Sequence, residues 1–590
     1  MVKRWIFKEF FRDNLLKYII GIAALVSSSL LQLTLPKLLG YITDSLKDKS
    51  HSYNTIMWLS AGMLGIAAIL FCLKFMFRYF LMGRARDLEC FLRAKLFSHL
   101  QTLPPKFYNN KKTGELMAYA TNDLNAIRRA FAFGLVFLID GIIINLTSLV
   151  VMVETINPVL TIAALIPIVI SIFIILTLKK KMREKFIKVQ ESYSNISEKI
   201  QENISGIRVI KSYGQEEKEI EKLTEASEHR RKMQMEYTRL SAALQPIVQI
   251  SFGISFTLSL VLGSTLVKRG TITLGDFIAF NTYLGILITP INHIGKLVEV
   301  WQRALASIKR LDGIFEVKTD IIEENLSFEG SEFKGQVEIK NLNFAYPGSK
   351  KRALKDISIS LKPGNTLGII GTTGSGKTTI VNLLLRLFKV ERGHIFIDGA
   401  DINEVPITTL RDSIGCVPQD NFLFSASIKD NIEFFNEDYT DEEVEIASKI
   451  SSVYENIVEF PEGFETVVGE RGITLSGGQK QRISIARAII KDPSILILDD
   501  SLSAVDTKTE EEILANIKSI LKGRTGIIIA HRISTIRYAD EIVVMDKGRI
   551  IERGNHEELL AKSGEYYKLF CAQTTESKQK GMEVEALKGL

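Results

Sequence analysis

Hydrophobic and polar residues are segregated along this chain. Up to about residue 300, long stretches carry no Lys, Arg, Asp or Glu, and several reach the ~20 residues a helix needs to cross a bilayer. Tyr18–Pro36 is the first, with room for its helix to run on to Tyr41, and Asn54–Leu73 is the second. The third is split by Asp140, with apolar runs at Ala130–Ile139 and Gly141–Val153. Thr155–Leu178, Leu240–Val267 and Phe277–Gly295 complete the set. The pattern predicts six membrane helices within residues 15–316. From about residue 333 it changes to short apolar runs alternating with helical stretches, the mark of an α/β domain.

The polar segments between the spans orient them. Gly83–Arg129 carries nine Lys or Arg and Lys179–Arg239 carries fifteen, whereas the opposite loops contribute Lys47, Lys49, Lys268 and Arg269. Basic loops stay on the cytoplasmic side, so both termini are expected inside. Unstructured connections of this length are uncommon, and LRAKLFSHLQTL has helical spacing. The membrane helices are therefore expected to continue well into the cytoplasm. Short cross-helices are expected at Lys111–Leu124 and around Ser205–Tyr213. The first 14 residues, MVKRWIFKEFFRDN, form a basic amphipathic segment that reads as a helix lying on the inner membrane face rather than a cleavable signal.

In the second half, residues 317–332 read as a polar linker and 333–572 as one folded domain, followed by a charged tail over 573–590 expected to be disordered. An apolar run ending at Ile370 leads into Gly371-Thr372-Thr373-Gly374-Ser375-Gly376-Lys377-Thr378-Thr379, and then into the helical pattern IVNLLLRLF. This is the phosphate-binding loop in its strand–loop–helix context. Its glycines let backbone N–H groups converge on an anion at a helix N-terminus. Lys377 can reach the outer phosphates and Thr378 can hold Mg²⁺. The chain is expected to bind ATP. Upstream, Tyr346 is a candidate to stack on the adenine. Downstream, Gln419 lies in VPQD, and Leu475-Ser476-Gly477-Gly478-Gln479 opens a helix as a second phosphate-binding element. One domain cannot easily fold both elements onto one phosphate, so the second is expected to serve a neighbour's nucleotide. SILILDD is a buried strand ending at Asp499, a candidate metal ligand, with Asp500 next; His531 ends the run GIIIAHR.

With these motifs together, the chain resembles a bacterial ABC exporter half-transporter, a six-helix transmembrane domain fused to a P-loop nucleotide-binding domain. The resemblance runs from the N-terminal helix to about Phe570. It implies that Gly371–Thr378 are the Walker A loop and Gln419 the residue contacting both Mg²⁺ and the transport domain. Leu475–Gln479 would be the signature motif, Asp499 the end of Walker B, Ser503–Asp506 the D-loop and His531 the switch histidine. It also implies two domains dimerising head to tail around two ATP, with ATP-driven alternating access exporting amphipathic small molecules such as drugs, lipids or peptides.

Asp500 departs from the pattern. The family's residue after the Walker B aspartate is Glu, which orients the attacking water; Asp is shorter by one methylene, and about 1 Å of misplacement can cost about a hundredfold in rate. The departure is similar to that in heterodimeric multidrug exporters, whose degenerate site carries Asp. This chain is then expected to pair with a different half-transporter bearing the Glu and to lend it an intact signature. A homodimer using Asp500 as a slow catalyst, or a mainly regulatory subunit that holds its ATP, are the alternatives.

Within the spans, Asp140 is a candidate contact for a cationic amphipathic substrate. Asn145 and Gln249 are further candidates, although interhelix hydrogen bonds are the commoner role of such residues. Gln245, Asn281 and Asn292 are polar positions of the same kind. The remaining composition narrows the class. Net charge is +6 and spread out, so no nucleic-acid face is expected, and the cysteines (Cys72, Cys90, Cys416, Cys571) lack paired or metal spacing, reading as reduced thiols. The spans exclude a soluble DNA-repair ATPase that would share the LSGGQ string, and fusion of both domains in one chain argues against an importer.

Overall fold

The computed structural model describes residues 2–47, 53–109, 111–319, 333–436, 438–469, 475–501, 507–521 and 523–574, with isolated positions between 320 and 332. The chain divides into two compact units, Met1–Gln101 with Thr113–Val317, and Thr102–Lys112 with Lys318–Leu590.

The first unit is helical. Among the described residues, five helical stretches are long and apolar enough to cross a membrane: Phe7–Lys47, Tyr53–Thr102, Thr113–Ile156, Pro158–Ser205 and Glu216–Lys268. The second contains 50 residues, which at ~1.5 Å per residue is about 75 Å of helix, far beyond a ~30 Å hydrocarbon core. The helices thus extend past the apolar spans, as expected. The sixth expected span falls on Leu274–Ile286 and Ile288–Phe315, which do not join that set.

Several boundaries differ from the sequence reading, each for a local reason. One helix, Val2–Gln32, covers both the expected surface helix at 1–14 and most of the first span, with no break between them. The break comes at Leu33, because Pro36 can neither donate to Gln32 nor tolerate its carbonyl; a second helix, Thr34–Lys47, then continues well past Tyr41. The fourth span starts at Pro158, not Thr155. Asn157 is extended (φ −165°) and its side chain caps the N–H groups of Val159 and Leu160, with Pro158 in the first turn. Among the described residues, no separate short helix spans the expected Lys111–Leu124, which belongs mostly to the long helical stretch beginning at Thr113; a short helix precedes it at Pro105–Asn109. Around Ser205–Tyr213 a short helix does form, Ile207–Ser212.

Two contacts tie the membrane unit together. Thr273 and Asp276 form a capping box at Leu274–Ile286, and Gly275 N–H donates to Asp44 Oδ1 at 2.7 Å. A Cβ on Gly275 would lie 2.1 Å from the Gly40 carbonyl oxygen, so this helix and Thr34–Lys47 meet backbone to backbone. Elsewhere Asp123, buried, accepts from Ser307 Oγ at 2.8 Å and from Arg310 Nε at 3.0 Å, and pairs again with Arg310 Nη2.

The second unit holds two sheets. β1 (Val337–Phe344), β2 (Leu354–Leu361), β4 (Ile395–Ile397) and β5 (Ala400–Asp401) form an antiparallel sheet in the order β2-β1-β4-β5. β3 (Thr366–Gly371), β6 (Ile414–Val417), β7 (Ile495–Asp499), β8 (Thr525–Ile529), β9 (Glu541–Asp546) and β10 (Arg549–Gly554) form the larger one, ordered β10-β9-β3-β8-β7-β6. All its pairings are parallel except β9 with β10. β3 and β7 are apolar almost throughout because both faces are covered. A separate core of Leu423, Ile428, Ile432, Val444, Leu475 and Ile483 sits under the helices between β6 and β7. The last helical stretch runs over 565–574, two residues beyond the expected domain end at 572. The rest of the expected tail, most of the linker and Ser503–Asp506 lie outside the described residues.

Candidate functional site

The parallel strands of the larger sheet bring the candidate residues to one edge. The phosphate-binding loop follows β3, Gln419 follows β6, Asp499 ends β7 and His531 follows β8. Ligands of open parallel sheets bind at these carboxyl ends. Here the ends line a cleft of about 250 Å³ formed by Tyr346, Thr373 to Thr379, Gln419, Asp499, Asp500 and His531, together with Ala353 and Ile529.

The loop conformation depends on its glycines. Gly374 (φ 78°) and Gly376 (φ 103°) are left-handed, and a Cβ on Gly376 would lie 2.9 Å from the Ala353 carbonyl oxygen. Gly371 needs to be bare because a Cβ there would meet the Met545 carbonyl oxygen at 2.1 Å. Lys377 starts the helix Lys377–Leu384 and is buried. Its ammonium folds back to donate to the carbonyls of Gly371 (2.9 Å) and Thr372 (3.1 Å). The Ser375 hydroxyl is buried with no protein partner among the described residues. A loop that wraps a lysine in its own carbonyls and leaves a buried hydroxyl open is built for an anion to replace those contacts.

The electrostatics agree. Burial pushes the Lys377 ammonium below the usual lysine range, opposed by the charges of Asp499 and Asp500. Burial pushes the Asp499 carboxyl above its usual range; the hydrogen bond from Thr378 Oγ1 (3.3 Å) opposes this, Asp500 reinforces it, and Lys377 and His531 oppose it. Thr378, Gln419 and Asp499 thus offer an all-oxygen donor set around a desolvated carboxylate, which suits a hard divalent cation.

Tyr346 donates to or accepts from Thr379 Oγ1 at 2.9 Å, and its ring packs edge-on against Phe344 and Phe388. Asp500 adopts a left-handed backbone (φ 48°); its N–H donates to the Ile529 carbonyl at 2.9 Å. The Asp500 carbonyl accepts from Gln481 Nε2 at 3.3 Å. Gln481 is buried on the helix Gly477–Ile489, so the signature helix is fastened to the residue that departs from the family pattern.

The signature residues themselves lie elsewhere. Ser476 caps Gly477–Ile489 with Gln479 in a capping box, while Leu475 is buried in the helical core, and none of Leu475–Gln479 lines the cleft.

Sequence reasoning missed Gln481 and Gln573. Gln573 accepts from Ile533 N–H at 2.9 Å and donates to the His531 carbonyl at 2.7 Å, bracketing the histidine turn. Gln481 falls on the same helix face as Ile485 and Ala488, a spacing that was a signal for the first; nothing in the polar composition around 573 marked the second. None of the four cysteines forms a disulfide, and burial with the nearby Asp499 charge pushes the Cys416 thiol up to about 12.

The transmembrane candidates do not converge. Asp140 accepts from Ser29 Oγ at 2.7 Å and Asn145 donates back to the Gly141 carbonyl at 2.7 Å. Gln249 is exposed on another helix. Asn281 donates to the Phe277 carbonyl, and the Asn292 side chain lies outside those described.

Comparison with known proteins agrees with this arrangement. The profile of the ABC transporter transmembrane region matches residues 18–291, and that of the ABC transporter nucleotide domain matches 354–503. A probable multidrug resistance ABC transporter ATP-binding/permease protein of Bacillus subtilis is 38% identical over 577 residues, 98% of each chain. The multidrug resistance-like ATP-binding protein MdlA of Escherichia coli is 34% identical over 572 residues, 96% of each. An ATP-dependent lipid A-core flippase of Syntrophus aciditrophicus is 34% identical over 82% of this chain and 80% of its own. Among solved structures, a bacterial Atm1-family ABC exporter with ATP bound superposes with a TM-score of 0.76 at 25% identity, covering 95% of this chain and 98% of that one.

Proposed function

Because the chain belongs to the ABC transporters, carrying their transmembrane region and their nucleotide domain on one polypeptide, we propose that it is one half of a heterodimeric multidrug-type exporter of the cytoplasmic membrane. As a member of that family it is an ATPase that couples hydrolysis to transport. The proposal adds six spans with both termini inside, an amphipathic small-molecule cargo, and a partner half-transporter whose Walker B carboxylate is Glu.

The observation that carries it is the cleft itself. Lys377, Thr378, Gln419, Asp499, Asp500 and His531 share one cavity, while Ser476–Gln479 present their helix N-terminus outside it. ATP phosphates would draw Lys377 away from its own loop carbonyls. Mg²⁺ would be held by Thr378, Asp499 and Gln419, where it neutralises phosphate charge. Asp500 and His531 are then left to position water, Asp500 with the shorter reach. Closure of two such domains on ATP would favour one state of the membrane helices, because bound ATP contributes contacts only there. The multidrug and lipid names of the relatives support an amphipathic cargo.

The test is ATPase turnover of this chain alone and mixed with the product of an adjacent half-transporter gene. Activity that needs the partner, is lost with a Glu-to-Gln change in its Walker B and survives Asp500→Asn supports the heterodimer. A homodimer whose activity is abolished by Asp500→Asn overturns it.

A further inference from the structure

The membrane unit contains a cavity of about 520 Å³ that involves none of Asp140, Asn145 or Gln249. Two helices build it. Asn122, Asn125 and Arg129 fall at i, i+3 and i+7 on the stretch Thr113–Ile156, and Lys296, Glu299 and Arg303 repeat that spacing on Ile288–Phe315, so each set forms one stripe. Phe137 and Val300 supply apolar wall.

The charge balance is one-sided. Glu299 pairs with Arg303 at 2.7 Å. Arg129 and Lys296 have no ion pair or hydrogen bond among the described residues. Three cations and two amides therefore face one carboxylate already engaged. The volume is in the ~300–1,000 Å³ range of small-molecule sites. Phe137 lies eight residues beyond Arg129, about 12 Å along the helix, in the direction of the apolar span. A ligand that satisfies this wall has a compact anionic head for Arg129 and Lys296 and an apolar body reaching toward Phe137.

We infer that this cavity is a binding site for an anionic amphiphile, its phosphate, sulfonate or carboxylate held by Arg129, Lys296 and the Asn122 and Asn125 amides. The inference reverses the charge expected from Asp140, whose carboxylate is already occupied by Ser29. It rests on the exporter reading only for the statement that the bound molecule is cargo.

The test measures dissociation constants on the full-length transporter in phosphatidylcholine nanodiscs, with mono-oleoyl phosphatidic acid, mono-oleoyl phosphatidylcholine, pyrenebutyrate and dodecyltrimethylammonium as probes. The phosphatidic acid is expected to bind at least tenfold tighter than its choline counterpart. Arg129→Ala and Lys296→Ala should each weaken it by about 10- to 100-fold, the value of a charge-assisted hydrogen bond. Arg129→Lys and Lys296→Arg should retain most of the affinity, which separates lost charge from lost folding. Binding of the lipid alone identifies a phospholipid headgroup site, whereas binding of pyrenebutyrate as well identifies a general organic-anion site. Dodecyltrimethylammonium binding as tightly as the anions, or anion binding indifferent to both alanine variants, would overturn the inference. If that happens while ATP-driven export of a cationic dye persists, the exporter reading stands without it; anion binding without ATP-driven export by this chain together with its partner half-transporter would sink only the exporter reading.

Discussion

The side-chain amide of Gln573 holds both ends of the turn that presents His531, accepting from Ile533 N–H and donating to the His531 carbonyl. Both bonds are to backbone, so Gln573 sets where the imidazole sits without touching the cleft. Gln573→Ala is expected to lower the slow ATP turnover of this chain's own cleft by about tenfold, within what sub-ångström misplacement can cost, with little change in the KM for ATP there. Gln573→Glu keeps the acceptor and loses the donor, so it should fall between. Steady-state kinetics beside a thermal melt checks this; a lowered Tm with unchanged kcat would make Gln573 merely structural.

Asp499 combines function with a cost to the empty protein. Its folded-state carboxyl is raised by burial, so the folded protein binds that proton more tightly than the unfolded chain does. The penalty is therefore absent at low pH and develops as pH rises through the carboxylate range. Asp499→Asn is expected to raise the Tm of the nucleotide-free protein at neutral pH, with the gain shrinking on acidification, while Mg²⁺-dependent ATP binding at this cleft is weakened. Differential scanning fluorimetry at several pH values reads this directly, and a neutral Tm that falls would contradict it.

Arg310 and Asp123 join two helices of the membrane unit. Removing the guanidinium leaves a buried carboxylate with only the Ser307 hydroxyl. Arg310→Met is expected to destabilise by about 2 kcal/mol, the scale of hydrogen bonds to a charged group. The additional change Asp123→Asn should recover part of it. A double-mutant cycle on detergent-solubilised protein measures the coupling.

Gly275 allows two helix backbones to touch, since a Cβ would stand 2.1 Å from the Gly40 oxygen and 2.5 Å from Asp44 Oδ2. Gly275→Val should separate them and lower the melting temperature, whereas Gly285→Val, where a Cβ meets no neighbour, should cost much less. Equal effects at both positions would show that the contact carries no stability.

Much of this molecule is determined by local sequence. Apolar runs of bilayer length, the Gly371–Thr379 loop between strand and helix, and Ser476 before Gly477 each specify their own structure through short-range chemistry, and they sufficed to place the family. Pro36 and the Asn157-Pro158 pair carry the local chemistry for the break at Leu33 and the start at Pro158, but the apolar runs alone had carried the expected spans past both. What local sequence does not hold is which distant residues meet. Parallel pairing of β3, β8, β7 and β6 brings Lys377, His531, Asp499 and Gln419 to one edge from four separate segments. Gln481 finds the Asp500 carbonyl, Gln573 finds the histidine turn, and Ser29 takes up Asp140, all through tertiary packing. The stripes at Asn122–Arg129 and Lys296–Arg303 were each readable as periodic, but only the packing of their two helices turns them into a cavity with a charge.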